Sequence, residues 1–505
     1  PSNSSAASDV YKRQVLTNLT IDVGTTNTKV SLWSEQTNIQ PIQQVKFATP
    51  KNKVDDFVDF DTEKLLKQLM NSIRQLVKAA PDTIQMISVA SVGESGVLIN
   101  ELGQLASPMI AWYDNRSEEI INRLSSQEKK TIYEVVGLPP HAHYSASKIK
   151  WLLEHSVDAN RRYTWLCIPD LLVYQLTGVR ATEYSIASRT MVFDIQKKHW
   201  SSRVKKIFGI ENVDFPQPYP SGTKIATLKP AIATTLGLSD QVAVTIAGHD
   251  HMVGSVSSGQ TTHELLDSTG TTEGILLLSD TLEKKATQEA EGIAYGVYLD
   301  PNLYTIFTAL PSAGSVIQWF QERHQLTSRR FMALADSAYK RYLAEELPTE
   351  AINFVIPHFS GSGSPKKSTQ TKGLWYGLAN QIDQEALIFG LFLGLSFELK
   401  HAVECLTNQR LQTIKVIGPA IKDPLWLQLK ADLLDADVLA MATPEAVSRG
   451  ANMIAQTTSE KNRLLAQPPS HRFSPRTTPL VRTLLDVYEH QYKPLYDAKV
   501  RFELK

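Results

Sequence analysis

Short runs of alternating apolar and polar residues recur along this chain, each closed by Gly, Thr, Asn or Asp, which is the pattern of half-buried strands ended by turns. Leu19-Thr20-Ile21 leads into Asp22-Val23-Gly24-Thr25-Thr26-Asn27, and Lys29-Val30-Ser31-Leu32-Trp33 then alternates again. This reads as a β-hairpin whose tip carries hydroxyls and an acid. Far downstream, Glu264-Leu265-Leu266 enters Asp267-Ser268-Thr269-Gly270-Thr271-Thr272-Glu273, and Gly274 to Leu278 follows as an apolar strand. The two Gly-Thr-Thr triplets start at residues 24 and 270, close to half of the 505-residue length apart. Repetition at that offset predicts two similar domains facing each other, with bounds of 15–254 and 255–505.

Between and after the tips, strands at Ile87 to Ala90, Thr164 to Ile168, Val242 to Ile246, Ile414 to Ile417 and Val438 to Met441 alternate with helical patterns. The helices fall at Thr62 to Ala79, Ala146 to Leu153, Glu385 to Leu406 and Pro424 to Leu434, and a final amphipathic helix covers Leu480 to Tyr496. The fold class is α/β, with sheets sandwiched by helices. Leu387 to Phe397 is the most apolar run, but it is short for a bilayer and runs into Glu398 and Lys400, so it reads as a core helix in which Gly390 and Gly394 allow close packing.

Composition narrows the function. With 52 basic and 52 acidic residues, no global field selects nucleic acid or an anionic membrane, and a charged ligand needs a local site. Cys167 and Cys405 are too few for a disulfide framework or a thiolate cage, which fits a reducing, cytoplasmic setting. Residues 1–14 lack the apolar core of a signal peptide; Asp9 to Gln14 looks like translated library adapter, and the segment is set aside as non-native.

The chemistry concentrates at the tips. Gly-rich turns expose backbone N–H groups, and neighbouring Thr hydroxyls add donors, so two tips across a cleft suit one polyphosphate. Asp22, ending the first strand, is placed to support Mg²⁺, which prefers carboxylate and water. Just before the second tip lies Ala247-Gly248-His249-Asp250-His251-Met252-Val253-Gly254. Asp250 can accept a hydroxyl proton during phosphoryl transfer. If the strand continues, His249 and His251 share one face and Asp250 the other, which disfavours a single metal ion held by all three. A hydrogen-bonded, structural role for the histidines stays open.

The segments IDVGTTNTKVSLW, AWYDNRS (Ala111 to Ser117), YSASKIKWLL (Tyr144 to Leu153), PDLLVYQLTG (Pro169 to Gly178), TEYSIASRTMVFD (Thr182 to Asp194), AGHDH, DSTGTTE, SAGSVIQWF (Ser312 to Phe320), GSGSPKKSTQTKGLWYGL (Gly361 to Leu378) and PLWLQLKAD (Pro424 to Asp432) together resemble the FGGY carbohydrate kinases. The resemblance runs from about Leu19 to about Gln456. It implies two ribonuclease-H-like domains of the actin/hexokinase type, with ATP and Mg²⁺ in the cleft and phosphoryl transfer to a sugar, ketose, polyol or sugar acid. By that resemblance Asp250 is the catalytic base, and Asp22 and Asp250 support the metal. Gly24, Thr25, Thr26, Asn27 and Lys29 form the first phosphate tip, and Gly270 and Thr271 the second. Gly314 and Gln318 lie toward the phosphates and ribose, Gly418 and Asp423 toward the adenosine.

Trp112, Asp114, Arg116 and Tyr144 match substrate-facing positions, with a structural ion pair or packed ring as the alternative for each. Glu94, in Val92-Gly93-Glu94-Ser95-Gly96, departs from the xylulose and glycerol kinase patterns but suits hydroxyl recognition, and His251 replaces a commoner Gln on the substrate side. Pro419 replaces a glycine in the adenosine loop and removes an N–H. Rival readings are a sugar-responsive binding protein with impaired ATP use and a His/Asp metal hydrolase. The expected partners are a small-molecule sugar or polyol and no nucleic acid or membrane, and a homodimer is among the assemblies allowed.

Overall fold

The structure is a computed structural model that describes residues 16–34, 39–78, 84–285, 287–346, 352–380, 382–456 and 469–504. The segment set aside at residues 1–14 lies outside the described residues.

Two mixed sheets dominate, and they share a topology. In the first, the strand order is Lys224–Thr227, Ala243–His249, Ile84–Ser91, Thr17–Val23, Asn27–Ser34, Gln43–Ala48. The three strands Ala243–His249, Ile84–Ser91 and Thr17–Val23 run parallel, and the last of them opens an antiparallel meander. In the second sheet, Glu264–Thr269, Glu273–Ser279 and Tyr304–Leu310 form the meander, while Thr413–Ile417 and Asp437–Ala440 add in parallel. Each half therefore repeats the same plan of a hairpin, a third antiparallel strand and two parallel strands, the ribonuclease-H-like arrangement. Thr17–Val23 is buried along its whole length, as a strand with covered faces must be.

Most expected elements are present: helices Thr62–Val77, Ser145–His155, Gln384–Leu406 and Pro424–Leu434, and strands Tyr163–Cys167, Thr413–Ile417 and Asp437–Ala440. Tyr163–Cys167 lies outside the main sheet, in a small sheet with Gly96–Ile99 and Val213–Asp214. By length and composition Gln384–Leu406 could cross a membrane, but 83% of its most apolar stretch is buried inside the protein. Side chains at Gly390 and Gly394 would overlap Asn353 and Val355, so strand Phe354–Ile356 lies directly on the helix.

One expectation is corrected at the C-terminus, where the single helix is interrupted. Pro479–Val487 passes through a π turn at Tyr488–Tyr492 into Lys493–Glu503. Pro494 cannot donate to the preceding turn and would crowd its carbonyl; the wider turn accommodates it. The same turn aligns Tyr488 and Tyr492 with the core, where their hydroxyls donate to Glu404 at 2.9 Å and Glu398 at 2.5 Å.

The helices Asp250–Ser257 and Ala446–Ala455 cross between the halves. Although it comes late in the chain, Ala446–Ala455 packs on Asp250–Ser257 and on strands Thr17–Val23 and Ile84–Ser91 of the first sheet. A Cβ at Gly450 would overlap the Val253 backbone. Polar bonds register the contact: Asn18 donates to Asn452 at 3.1 Å, Thr20 and Ser448 hydroxyls meet at 2.7 Å, and Ser88 donates to the Ala451 carbonyl at 2.9 Å.

Candidate active site

Parallel strands present their carboxyl ends together, and crevices outside those ends are where open α/β sheets bind ligands. Pairing sets Val23 and His249 on either side of Ser91. Asp22, Glu94 and Asp250 therefore leave three adjacent strands at the same edge. In the second sheet Ser268 pairs with Ile417, so Gly270 and Gly418 follow two adjacent strand ends in the same way.

The expected extended course of His249-Asp250-His251 is not what the chain adopts. The strand shifts register at the Ala247-Gly248 step and ends at His249, and Asp250 is the first residue of the helix. Gly248 has φ +128°, and a Cβ there would lie 2.7 Å from Ser185 Oγ and 2.9 Å from Glu183 Oε2, so glycine is required for the turn. Consequently the two imidazoles stack at 5.6 Å instead of flanking a strand. Asp250 Oδ1 accepts the His251 N–H at 2.7 Å and lies 3.6 Å from His249 Nε2. Burial pushes Asp250 up to about 7, against the His251 amide, and Glu94 adds to the rise. Burial also holds His249 neutral.

Asp22 and Lys29 are direct cross-strand partners. Burial pushes Asp22 to about 7, Lys29 opposes the shift, and Asp250 and Glu445 add to it. The Asp22 carboxylate accepts no hydrogen bond from any described residue and is 7% exposed. Two buried carboxylates that repel each other suit a hard divalent cation. Among the described residues no group of three or more His, Cys, Asp or Glu is placed to hold a metal ion.

Both tips are braced. Gly24 N–H donates to Asn27 at 3.0 Å, and the Thr49 hydroxyl donates to the Gly24 carbonyl at 2.7 Å; Thr25, Thr26 and Asn27 are at least partly open. Gly270 N–H donates to Thr272 at 2.8 Å, and Gly314 N–H caps Gly270 at 3.0 Å, which brings helix Gly314–Arg323 to the second tip. Gln318 lies on that helix's exposed face, bonded to Glu322. Pro419 opens the 3-10 turn Pro419–Lys422, a position whose N–H would have no partner within the turn. Burial raises Asp423, between that turn and helix Pro424–Leu434, to about 6.

Beside the first tip, Trp112 Nε1 donates to Thr25 Oγ1 at 2.8 Å, tying the loop that carries Trp112 to that tip. Arg189, which sequence reasoning did not single out, grips Glu94 at 2.6 Å and stacks over Tyr144 at 5.1 Å and Phe307 at 5.9 Å. Phe307 comes from the second sheet and also meets His251 at 5.5 Å. Asp114 and Arg116 bond to each other through both carboxylate oxygens, at 2.9 and 2.8 Å. Asp114 also accepts the Val58 N–H, and Arg116 reaches Asp59 at 2.8 Å. With side chains 1% and 3% exposed, the two are turned to each other, and the ion-pair alternative describes their geometry.

A model of the FGGY family of carbohydrate kinases, N-terminal domain, matches residues 17–257, and the family's C-terminal domain matches residues 265–459. The chain belongs to the FGGY family of carbohydrate kinases. As an FGGY kinase it is a phosphotransferase with an alcohol group as acceptor. A glycerol kinase of Saccharolobus islandicus is 25% identical over 454 residues, covering 86% of this chain and 87% of that protein. Among solved structures, a xylulose kinase from Lactobacillus acidophilus aligns with TM-score 0.84 at 18% identity, over 97% of this chain and 100% of that one. Plasmodium falciparum glycerol kinase with ADP aligns with TM-score 0.83 at 18% identity, over 96% and 98%.

Three further residues of this FGGY kinase shape the site. Lys148, fully buried, donates to the carbonyls of Trp112 at 3.0 Å, His143 at 2.8 Å and Ala142, fixing the aromatic wall. Glu445 (φ +53°) precedes the crossing helix Ala446–Ala455 and pairs with Lys29 at 2.8 Å. Glu183 accepts the Ser185 hydroxyl at 2.5 Å, and Ser185 Oγ in turn accepts the His249 N–H at 2.9 Å. Only Glu445 had a local signal, since the small residues of Ala446 to Asn452 mark a closely packed helix.

Proposed function

We propose that this kinase transfers the γ-phosphoryl group of ATP to a hydroxyl of a small sugar, polyol or sugar acid, with Asp250 as the base. One observation supports this most: Asp250 starts a helix at the edge where three parallel strands end, one strand away from the strand that leads into the first Gly-Thr-Thr tip, while its neighbour His251 lies against Gly274 and Phe307 next to the second tip's hairpin. The acceptor hydroxyl gives its proton to Asp250 while its oxygen bonds to the γ-phosphorus. The bond from that phosphorus to the β-γ bridging oxygen breaks, and ADP leaves with the electron pair.

Backbone amides and hydroxyls of Gly24 to Asn27 and of Gly270 and Thr271 cradle the phosphates, and Lys29 supplies a cation. Gly314 and Gln318 lie toward the ribose, and Gly418 and Asp423 toward the adenosine. Asp22 and Asp250 would hold Mg²⁺, which would neutralise charge on the phosphate oxygens. Glu94, held by Arg189, and the ring of Tyr144 orient the acceptor, with Trp112 and His251 beside it. Closure of the two halves excludes water and limits hydrolysis of ATP.

Asp250→Asn tests the base. The variant should fold and bind ATP, while sugar-dependent ADP release falls by about 10²- to 10⁴-fold. Near-full turnover on the preferred acceptor would remove Asp250 from that role. Thermal stabilisation by millimolar ATP with Mg²⁺ and sugar separates the kinase from a sugar sensor, which would show no shift.

A further inference from the structure

The charges on the substrate wall do not balance. Arg189 is neutralised by Glu94, with both of its bonds at 2.6 Å falling on one carboxylate oxygen. Lys148 is enclosed by three carbonyls and is out of reach of a ligand. Lys367 differs from both. It rises from the Gly361–Thr371 loop of the second half, and although the residue keeps exposed surface, burial and then Arg189 lower its pKa; it has no hydrogen-bond or carboxylate partner among the described residues.

Contacts between the halves fix where Lys367 sits. Its stem lies against Gly292. The adjacent Ile293 carbonyl accepts the Tyr133 hydroxyl at 3.2 Å, and the Tyr295 N–H donates to Gly137 at 2.7 Å. Lys367 therefore borders the segment Tyr133–Tyr144, which ends in the wall. There His141 and His143 touch at 4.0 Å, and His143 meets Trp112 at 5.4 Å. Burial, with Lys367 next, holds His141 at about 4, and burial, His141 and Lys367 hold His143 at about 2. Both imidazoles are thus neutral near pH 7, able to bond hydroxyls without adding charge. Arg189 is the charge that acts on Lys367, so the ammonium faces the wall that Arg189 and Glu94 build.

Resting on the kinase reading above, we infer that the acceptor is a sugar acid, its carboxylate held by Lys367 from the second half and its hydroxyls by His141 and His143 from the first. A neutral polyol would leave the ammonium without a counter-ion when the cleft closes, at a desolvation cost. A carboxylate forms a charge-assisted bond there. It also ties recognition of the acceptor to closure, because the carboxylate and the reacting hydroxyl are then gripped by different halves.

The test compares C4 to C6 aldonates with polyols and ketoses of the same length, by ADP release and by calorimetric binding without nucleotide, for the parent, Lys367→Met and Lys367→Arg. Aldonates should be preferred. Lys367→Met should raise the aldonate KM by about 10- to 100-fold, with kcat and the KM for ATP little changed, and Lys367→Arg should restore most of the affinity. A neutral acceptor that is preferred and indifferent to Lys367→Met would overturn the inference and leave the kinase standing. A rise in the KM for ATP would assign Lys367 to the phosphates and also overturn it. Aldonate binding that depends on Lys367, without ADP release from any acceptor, would support the carboxylate site and count against the kinase reading instead.

Discussion

Glu183 shows how far a single residue behind the site can act. It is 1% exposed, N-caps Tyr184–Ser188, and burial pushes it up to about 8 from an ordinary 4.5. The folded chain therefore binds more protons than the unfolded chain between 4.5 and about 8, and the stability allowed by this group falls as pH rises through that window. Glu183→Gln should melt close to the parent near pH 5 and increasingly above it as pH approaches about 9. A constant gap in melting temperature would show that Glu183 does not titrate in that range. Nothing local marks Glu183 or Arg189 as special in the sequence, because their importance lies in partners 95 residues away at Glu94 or across the fold at His249. Asp114 and Arg116 teach the reverse: their residue types suit a sugar, but their closest partners are each other.

At the level of elements, the second tip stands on a buried charge cluster. Lys430, from helix Pro424–Leu434, meets Asp267 and, at 2.5 Å, Glu273, and all three side chains are closed to solvent. Those two acids sit on the paired strands that flank Gly270 and Thr271, so the cluster holds the hairpin in register. Lys430→Met leaves two carboxyls buried together without their cation and should cost about 3–5 kcal/mol by urea unfolding. Adding Asp267→Asn and Glu273→Gln should recover most of that loss; no recovery would mean that packing against Trp426, 4.1 Å from the ammonium, matters more than charge. Apolar periodicity located this helix and both hairpins because it reflects which face is covered. It missed the strand-to-helix switch at His249–Asp250, where a bulge and one positive φ redirect the chain, and the π turn before Pro494, where a missing N–H changes the winding.

For the whole molecule, the crossing helices join the two halves, and the proposed closure is expected to turn on their contact. Gly450 and Gly254 lie on the two helices and make a controlled pair. A methyl group at Gly450 would overlap the Val253 backbone, whereas one at Gly254 would meet Val447 at an ordinary 3.7 Å. Gly450→Ala should lower the melting temperature and abolish the compaction seen by small-angle scattering when nucleotide and acceptor bind, while Gly254→Ala should leave both nearly unchanged. Equal effects would show that this contact does not govern closure. The duplicated plan was legible in the sequence from two similar hairpins, but the return of Ala446–Ala455 to the first sheet was not, since neighbours so distant along the chain leave no local period.

By itself the sequence determined the local pattern: where strands and helices alternate, that the strand-tip-strand unit occurs twice, and that each tip carries small residues and hydroxyls fit for phosphate. Backbone preference and side-chain periodicity act over a few residues and are written locally. Only the tertiary structure decided which polar groups neutralise one another and which face the cleft. Arg189 is answered by Glu94, Lys29 by Glu445 and Lys430 by two acids, while Lys367 has no hydrogen-bond or carboxylate partner among the described residues. Burial and charge depend on every neighbour in space, so the same residue types become brace, base or ligand site only after the chain has folded.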